Sequence, residues 1–258
     1  GVGASLGPYV MGYALSGGES WNMGYRYIGI LQIVLTMILL CSLPLWKKQG
    51  GAWEKEGGSQ TDQGGALSLA QIIRIPGAKE VMLTFFCYCA VEQTAGLWAS
   101  SYLVLHWEVG SGTAANFASM FYIGITAGRA LGGFLTMKLN DKQMIRLGQA
   151  VIMIGIMLLL LPIGKGTALM GLIAVGLGCA PIYPSIIHST PEHFGADRSQ
   201  AMIGVQMAAA YVGTCLMPPV FGLIANHINI VLYPVYLLLI LTVMVLMHER
   251  LLRRAGKE

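Results

Sequence analysis

Charged side chains are scarce in this 258-residue chain: Asp, Glu, Lys and Arg make up 11% of it, against 55% hydrophobic residues. A soluble domain carries about 25% charged residues, so this chain cannot clothe a globular surface in solvated groups. Cysteines are few and all five (Cys41, Cys87, Cys89, Cys179, Cys215) fall inside apolar stretches, where cysteine behaves as a small hydrophobe. Cys87 and Cys89 stand two apart, so they point to different sides of a helix and cannot jointly hold a metal. The apolar stretches hold no paired acids, no Ser–His pair and no His–carboxylate cluster, which argues against an intramembrane enzyme. Gly164-Lys165-Gly166 reads as a turn, without the strand–loop–helix context of a phosphate cradle. The net charge of +4 is too small to indicate a nucleic-acid surface. No metal or other cofactor is expected.

What the chain does have is long runs free of charge. Tyr27–Trp46, Val109–Gly128, Leu147–Gly164 and Gly166–Pro191 each carry no Asp, Glu, Lys or Arg, and Ser199–Met247 is long enough to cross a bilayer twice. A helical span needs about 20 apolar residues, because ~30 Å of hydrocarbon is climbed at 1.5 Å per residue. The expected fold is therefore all-α, a polytopic helical membrane protein. Eight hydrophobic segments can be drawn: Gly1–Leu15, Gly24–Trp46, Glu80–His106, Thr113–Lys138, Ile145–Ile163, Thr167–Thr190, Gln200–Asn226 and Ile230–Met247. The first begins without Met inside an apolar stretch, and reads as an incomplete helix of a longer chain. Short polar connections between segments make the helices zigzag across the membrane.

One long polar stretch, Lys47–Lys79, interrupts the pattern. Its Gly50–Gly65 portion has the composition of a flexible linker, and Leu67–Ile75 could form a short helix on the membrane surface. Three regions result: 1–46, the linker 47–79, and 80–258. If the linker is cytoplasmic, alternation places fourteen of the sixteen Lys and Arg residues on its side and leaves Arg26 and Lys165 on the other. The positive-inside rule then puts the linker and the C-terminus in the cytoplasm, with the chain in the plasma or inner membrane. Arg250, Arg253 and Arg254 would anchor the last helix on anionic lipid.

Of the twelve acidic residues, Glu92 alone lies near the middle of a segment, twelve residues in from Glu80. A carboxylate at mid-bilayer costs roughly 2.5–3.5 kcal/mol on insertion scales, so it must face protein or water, and such residues are functional by default. Phe85, Tyr88, Glu92, Gly96 and Ala99 share one helix face. Glu92 is the candidate for substrate contact and for proton coupling. Gln93, Trp98 and Tyr102 surround it, offering an amide, an indole face and a hydroxyl to a sugar-like solute. Asn116 and Tyr122 are weaker candidates. Arg129 stands one turn from a segment end and could pair with Asp141 to hold a gate closed, or snorkel to the surface. His188 and His193 read as solvated loop residues.

Thirty-four glycines are unusual, and Gly124, Gly128 and Gly132 line one face at a spacing of four, which lets helix backbones approach closely. Gly3-Ala-Ser-Leu-Gly7-Pro8-Tyr-Val-Met-Gly12 combines that spacing with a proline that kinks its helix. Met217-Pro218-Pro219-Val-Phe-Gly222 repeats the device six segments later, which points to an internal repeat of the kind found in secondary transporters.

These features resemble the major facilitator superfamily. Gly3–Gly12 is similar to the fifth-helix glycine-proline motif of that family, and Trp21-Asn-Met-Gly24-Tyr25-Arg26 to the outer loop before its sixth helix. The linker sits where the family joins two six-helix bundles. Arg129, Gly132-Gly133-Phe-Leu and Lys138-Leu-Asn140-Asp141-Lys142 resemble a degenerate form of its cytoplasmic motif between helices 8 and 9. The resemblance implies helices 5 through 12, with 1–46 closing an N-terminal bundle and 80–258 forming the C-terminal one. It implies secondary transport by alternating access, with a small-molecule solute, a coupling proton or other ion and the lipid bilayer as partners. Gly7, Pro8, Arg129 and Asp141 become gating candidates. Glu92-Gln93-Thr94-Ala95-Gly96-Leu-Trp98, Pro181-Ile-Tyr183-Pro184, and Gln206 with Tyr211 and Gly213 resemble the fucose and hexose proton symporters. By that resemblance Tyr183, Gln206 and Tyr211 line the central cavity. The alternative is a proton-driven exporter of amphipathic compounds, whose adaptable pocket the fifteen methionines could supply.

Overall fold

A computed structural model describes residues 2–18, 20–56 and 69–255, and every regular element among them is helical. In chain order these are α1 (Val2–Ser16), α2 (Trp21–Glu56), α3 (Leu69–Arg74), α4 (Ala78–Trp107), α5 (Ser111–Leu135) and α6 (Asp141–Leu160). There follow α7 (Lys165–Cys179), α8 (Ile182–His188), α9 (Thr190–Phe194), α10 (Ala196–His227), a 3-10 turn at Ile230–Leu232 and α11 (Tyr233–Ala255). Among the described residues five stretches are long and apolar enough to cross a membrane: Trp21–Ser42, Asp141–Leu160, Lys165–His188, Asp197–His227 and Ile230–Arg254. Helices α4 and α5 have 30 and 25 residues, ample length for a span, with more small and polar side chains.

Local chemistry sets the ends. Gly77 and Gly195, at φ 84° and 81°, occupy the left-handed region that a Cβ disfavours, and they turn the chain into α4 and between α9 and α10. Asn140 and Gln143 form a reciprocal capping box, in which the Asn140 side chain accepts from the Gln143 amide and the Gln143 side chain from the Asn140 amide. That box starts α6 at Asp141, four residues ahead of the first apolar residue of the expected span. The expected segment Thr167–Thr190 is broken into α7 and α8 at Ala180-Pro181, because proline supplies no amide hydrogen to continue the ladder. Residues 47–56, expected to begin a linker, continue α2, while residues 57–68 of that linker lie outside the described residues. A short helix is present as α3 within the Leu67–Ile75 stretch, and its Ile72 is buried in the core.

Packing places α7 at the centre of a layer. It lies between α5 and α6, while α4 lies against α10 and α11, and α1 lies against α5. Glycines permit the approach on both sides of α7. A Cβ at Gly124 would stand 2.5 Å from the Ile173 carbonyl oxygen, and one at Gly128 2.7 Å from that of Leu177. On the other side Gly148 and Gly178 face each other, each Cβ position 2.6 Å from the opposite carbonyl oxygen. Backbone-to-backbone contact of this kind gathers dispersion and weak Cα–H···O contacts that bulkier helices cannot make. Gly12 of α1 does the same against Gly112 and Asn116 of α5, whereas a Cβ at Gly3 or Gly7 would meet nothing.

A buried core runs from Ile72 to Leu251, mostly aliphatic, and its largest side chains are aromatic residues of α4, α5, α10 and α11. At one end of the bundle Arg254 pairs with Glu80 at 2.8 Å, and Arg146 pairs with Glu249 through two contacts of 2.7 and 2.8 Å. These pairs tie α11 to α4 and α6, so Arg254 is engaged with protein as well as placed at the helix end. Helix α2 is exposed nearly all round, with Ile30, Leu31, Ile33, Met37, Ile38, Leu39 and Leu40 uncovered. So much apolar surface is tolerable only in contact with lipid or other apolar helices.

Candidate functional site

A cavity of about 880 Å³ opens among α5, α6, α8 and α9, at the end of the bundle where α5 stops and α6 starts. That volume lies in the range of sites for small organic molecules, 300–1,000 Å³. Helix α5 supplies Gly128, which packs against α7, and Gly132 and Gly133, whose missing side chains leave the space open. Arg129, Asn140, Asp141, Ser185, His188 and Glu192 supply its polar groups. Its inner wall is made by Ala180, Pro181, Tyr183 and Pro184, at the break between α7 and α8.

Tyr183 links this cavity to Glu92. Its ring lies 5.2 Å from that of Phe85 and 6.4 Å from that of Tyr88, and its hydroxyl reaches the Met207 sulfur at 3.5 Å. Tyr88, one helical turn before Glu92, donates its hydroxyl hydrogen to the Glu92 carboxylate. Tyr88 is fully buried and Glu92 half-buried. Tyr122 approaches from α5 because position 96 is glycine: a Cβ there would collide with the Tyr122 hydroxyl and stand 3.2 Å from the Phe121 ring. Glu92 is within electrostatic range of Tyr122, Cys179 and Arg129. The α4 face expected from its spacing therefore exists, and it meets α5, α7 and α8. Tyr88, which the spacing placed beside Glu92 without giving it a role, is the direct partner. Tyr211 lies exposed on α10, within electrostatic range of Tyr183. Gln93 is half-buried on α4 and stands outside the cavity lining.

Three expected ligands are used for packing instead. Trp98 donates its indole N–H to the Pro218 carbonyl at 3.0 Å and sets its ring edge-on to Phe221 at 5.2 Å. Gly222 makes room for it, since a Cβ there would stand 3.0 Å from the indole. Tyr236 reaches the neighbouring Met217 carbonyl at 2.9 Å, so the two-proline turn of α10 is held from α4 and from α11. Tyr102 is 1% exposed, stacks on Tyr233 at 4.9 Å and donates to the Leu159 carbonyl at 3.3 Å. That carbonyl lies in the last turn of α6 and has no amide partner in its own helix. Gln206 is fully buried, and its amide donates to the Thr190 hydroxyl at 3.2 Å while that hydroxyl donates to the Ile186 carbonyl at 2.9 Å. Gln206 thus ties α10 to α9. Tyr102→Phe is expected to lower stability by about 1 kcal/mol, the worth of one neutral hydrogen bond, and to leave solute affinity unchanged. Thermal unfolding with and without solute checks both halves.

The gating candidates also separate. Asp141 pairs with His188 Nδ1 at 2.6 Å rather than with Arg129, because α8 brings the imidazole over the start of α6. Glu192 pairs with Lys142 at 3.5 Å. Arg129 lines the cavity without a hydrogen-bonded or ion-paired partner among the described residues. Gly7 and Pro8 lie on α1 and contribute nothing to the cavity lining. His193 is half-buried and directs Nδ1 to the Ser189 carbonyl at 2.7 Å, so it is not a solvated loop residue. Among the described residues no cluster of His, Cys, Asp and Glu could hold a metal ion.

No curated protein matches the chain. Among solved structures it is similar to FucP, a Major Facilitator Superfamily transporter in the outward conformation. Identity is 20% and the TM-score 0.59, covering 70% of this chain and 44% of that one. A point variant of the peptide transporter POT in complex with alafosfalin matches at 19% identity and TM-score 0.59, covering 70% of this chain and 39% of that one. A POT family transporter in complex with a thioalcohol-conjugated peptide matches at 17% identity and TM-score 0.57, covering 70% and 39%. The chain thus spans less than half the length of these structures. The profile of the Major Facilitator Superfamily matches residues 1–218 and 81–257, and with that coverage and this fold the chain belongs to the Major Facilitator Superfamily.

Proposed function

We propose that the chain is part of a secondary active transporter that moves a small polar, sugar-like solute across the cell membrane by alternating access, coupled to protons. The observation that carries the reading is the placement of Glu92. The one acid near mid-segment is held by Tyr88 beside the aromatic wall of Phe85 and Tyr183, behind a cavity large enough for a monosaccharide. A carboxyl group in such a place can take and release a proton as the surrounding water changes, without covalent chemistry on the solute. Tyrosine hydroxyls and rings suit a polyol, since the hydroxyl exchanges hydrogen bonds and the ring covers the apolar sugar face.

Residues 1–46 would close one bundle and residues 80–258 form the other, with the linker and the C-terminus in the cytoplasm, as the fourteen-to-two division of basic residues requires. On this orientation the cavity opens to the cytoplasm. The competing reading, export of amphipathic compounds, is separated by a thermal-shift panel on the purified full-length protein. Sugars or sugar acids should raise the unfolding temperature and lipophilic cations should leave it unchanged. The opposite pattern assigns the protein to export.

A further inference from the structure

Resting on the reading of a sugar-sized solute, we propose that this solute is anionic, a carboxylate-bearing polyol, and that Arg129 holds its carboxylate. The charges around the cavity favour this class over neutral sugars. The other acidic and basic side chains lining it, Asp141, His188 and Glu192, each have a protein partner: Asp141 pairs with His188 at 2.6 Å and Glu192 with Lys142 at 3.5 Å. Arg129 is left over. It lines the same space with Asn140, Ser185 and Tyr183; among the described residues no acid forms an ion pair with it, and Glu92 alone lies within electrostatic range.

A guanidinium facing a confined space keeps its charge at all physiological pH values and presents two parallel N–H donors to a carboxylate. The cavity floor next to it is Gly132 and Gly133, where a Cβ would have room, so an anion can approach without displacing a side chain. Tyr183 lines the cavity with Arg129, packs 6.4 Å from Tyr88 and is within electrostatic range of both Arg129 and Glu92. A molecule with its carboxylate at Arg129 would turn its hydroxyl groups towards Tyr183. The gate proposed from sequence, Arg129 with Asp141, would have occupied the guanidinium. The capture of Asp141 by His188 frees it for a ligand.

The test uses full-length protein in phosphatidylcholine vesicles, so that no anionic lipid competes for the guanidinium. Counterflow of radiolabelled D-gluconate and D-galacturonate is compared with that of D-glucose and D-galactose. The acids should exchange and the neutral sugars should compete at least about 10-fold less well. Arg129→Gln should weaken the acids by about 10-fold to 100-fold, the worth of hydrogen bonds to a charged group, and Arg129→Lys should recover part of the loss. Neutral sugars exchanging as well as the acids, with Arg129→Gln without effect, would overturn the proposal and leave sugar transport standing. Exchange of neither class would overturn both. The wild-type comparison needs no variant, so a poorly folded Arg129→Gln leaves the proposal decidable.

Discussion

Gly176→Leu should strongly destabilise the folded protein, because position 176 is where α7 meets α5 backbone to backbone. A Cβ there would collide with the Phe121 carbonyl oxygen and stand 3.2 Å from the Ile125 nitrogen. These are backbone atoms of a helix that is itself clamped, since Gly124 of α5 faces the Ile173 carbonyl of α7 at the same crossing. A colliding side chain can swing away, whereas a helix backbone moves only as a unit. Overpacking typically costs 1–3 kcal/mol, and a whole leucine against two helix backbones belongs at or above the upper end, about 3 kcal/mol. For a chain of this size that corresponds to a fall of about 10 °C in unfolding temperature. Gly204→Leu is the control: a Cβ at Gly204 meets nothing within 4 Å. Its variant should elute and melt as the wild type does. Equal behaviour of the two variants would mean that the α5–α7 contact does not carry the bundle.

Much of this architecture was legible before any coordinates, and the exceptions share a cause. The segment expected at Glu80–His106 is the helix α4 at Ala78–Trp107, and the span expected at Ile145–Ile163 is the apolar α6 at Asp141–Leu160, because the length of a span is set by the bilayer. The small-residue period of α5 announced close packing, and Gly124 and Gly128 deliver it, while Gly132 and Gly133 instead floor a cavity. The period alone cannot say which turn of a helix has a neighbour. Continuation of α2 through Lys47–Glu56 went against the linker composition, since the Lys, Gln, Glu and Ala residues there are good helix formers that carry Gly50 and Gly51 with them.

The same limit governs the site. Tyr88 and Glu92 stand four apart and meet within one helix, so their pairing is a local fact. Trp98, Tyr102 and Gln206 are defined by other helices: Pro218 on α10, Leu159 on α6 and Thr190 on α9. A polar side chain in an apolar segment must find a partner, and sequence cannot tell whether that partner is a solute or a distant carbonyl. The pairing of Asp141 with His188 over 47 positions, rather than with Arg129, illustrates the point for charges.

The second large effect concerns Glu92 itself. Glu92→Gln keeps the shape and the hydrogen bond from Tyr88, in which the Tyr88 hydroxyl can donate to the new amide oxygen, but it removes the proton that a carboxyl group can carry. Binding that depends on hydrogen bonding should survive within a few-fold, whereas any step that needs protonation should stop. Tyr88→Phe, by contrast, keeps the carboxyl group and strips its partner, which should weaken transport by about 10-fold. The two variants therefore move different quantities.

The decisive measurement is made on proteoliposomes containing full-length wild type or Glu92→Gln, with uptake followed under an imposed pH gradient and exchange followed with none. Wild type should accumulate solute above equilibrium, and Glu92→Gln should lose accumulation by about 100-fold while retaining exchange. Unaltered gradient-driven accumulation by Glu92→Gln would contradict the assignment of the proton to position 92.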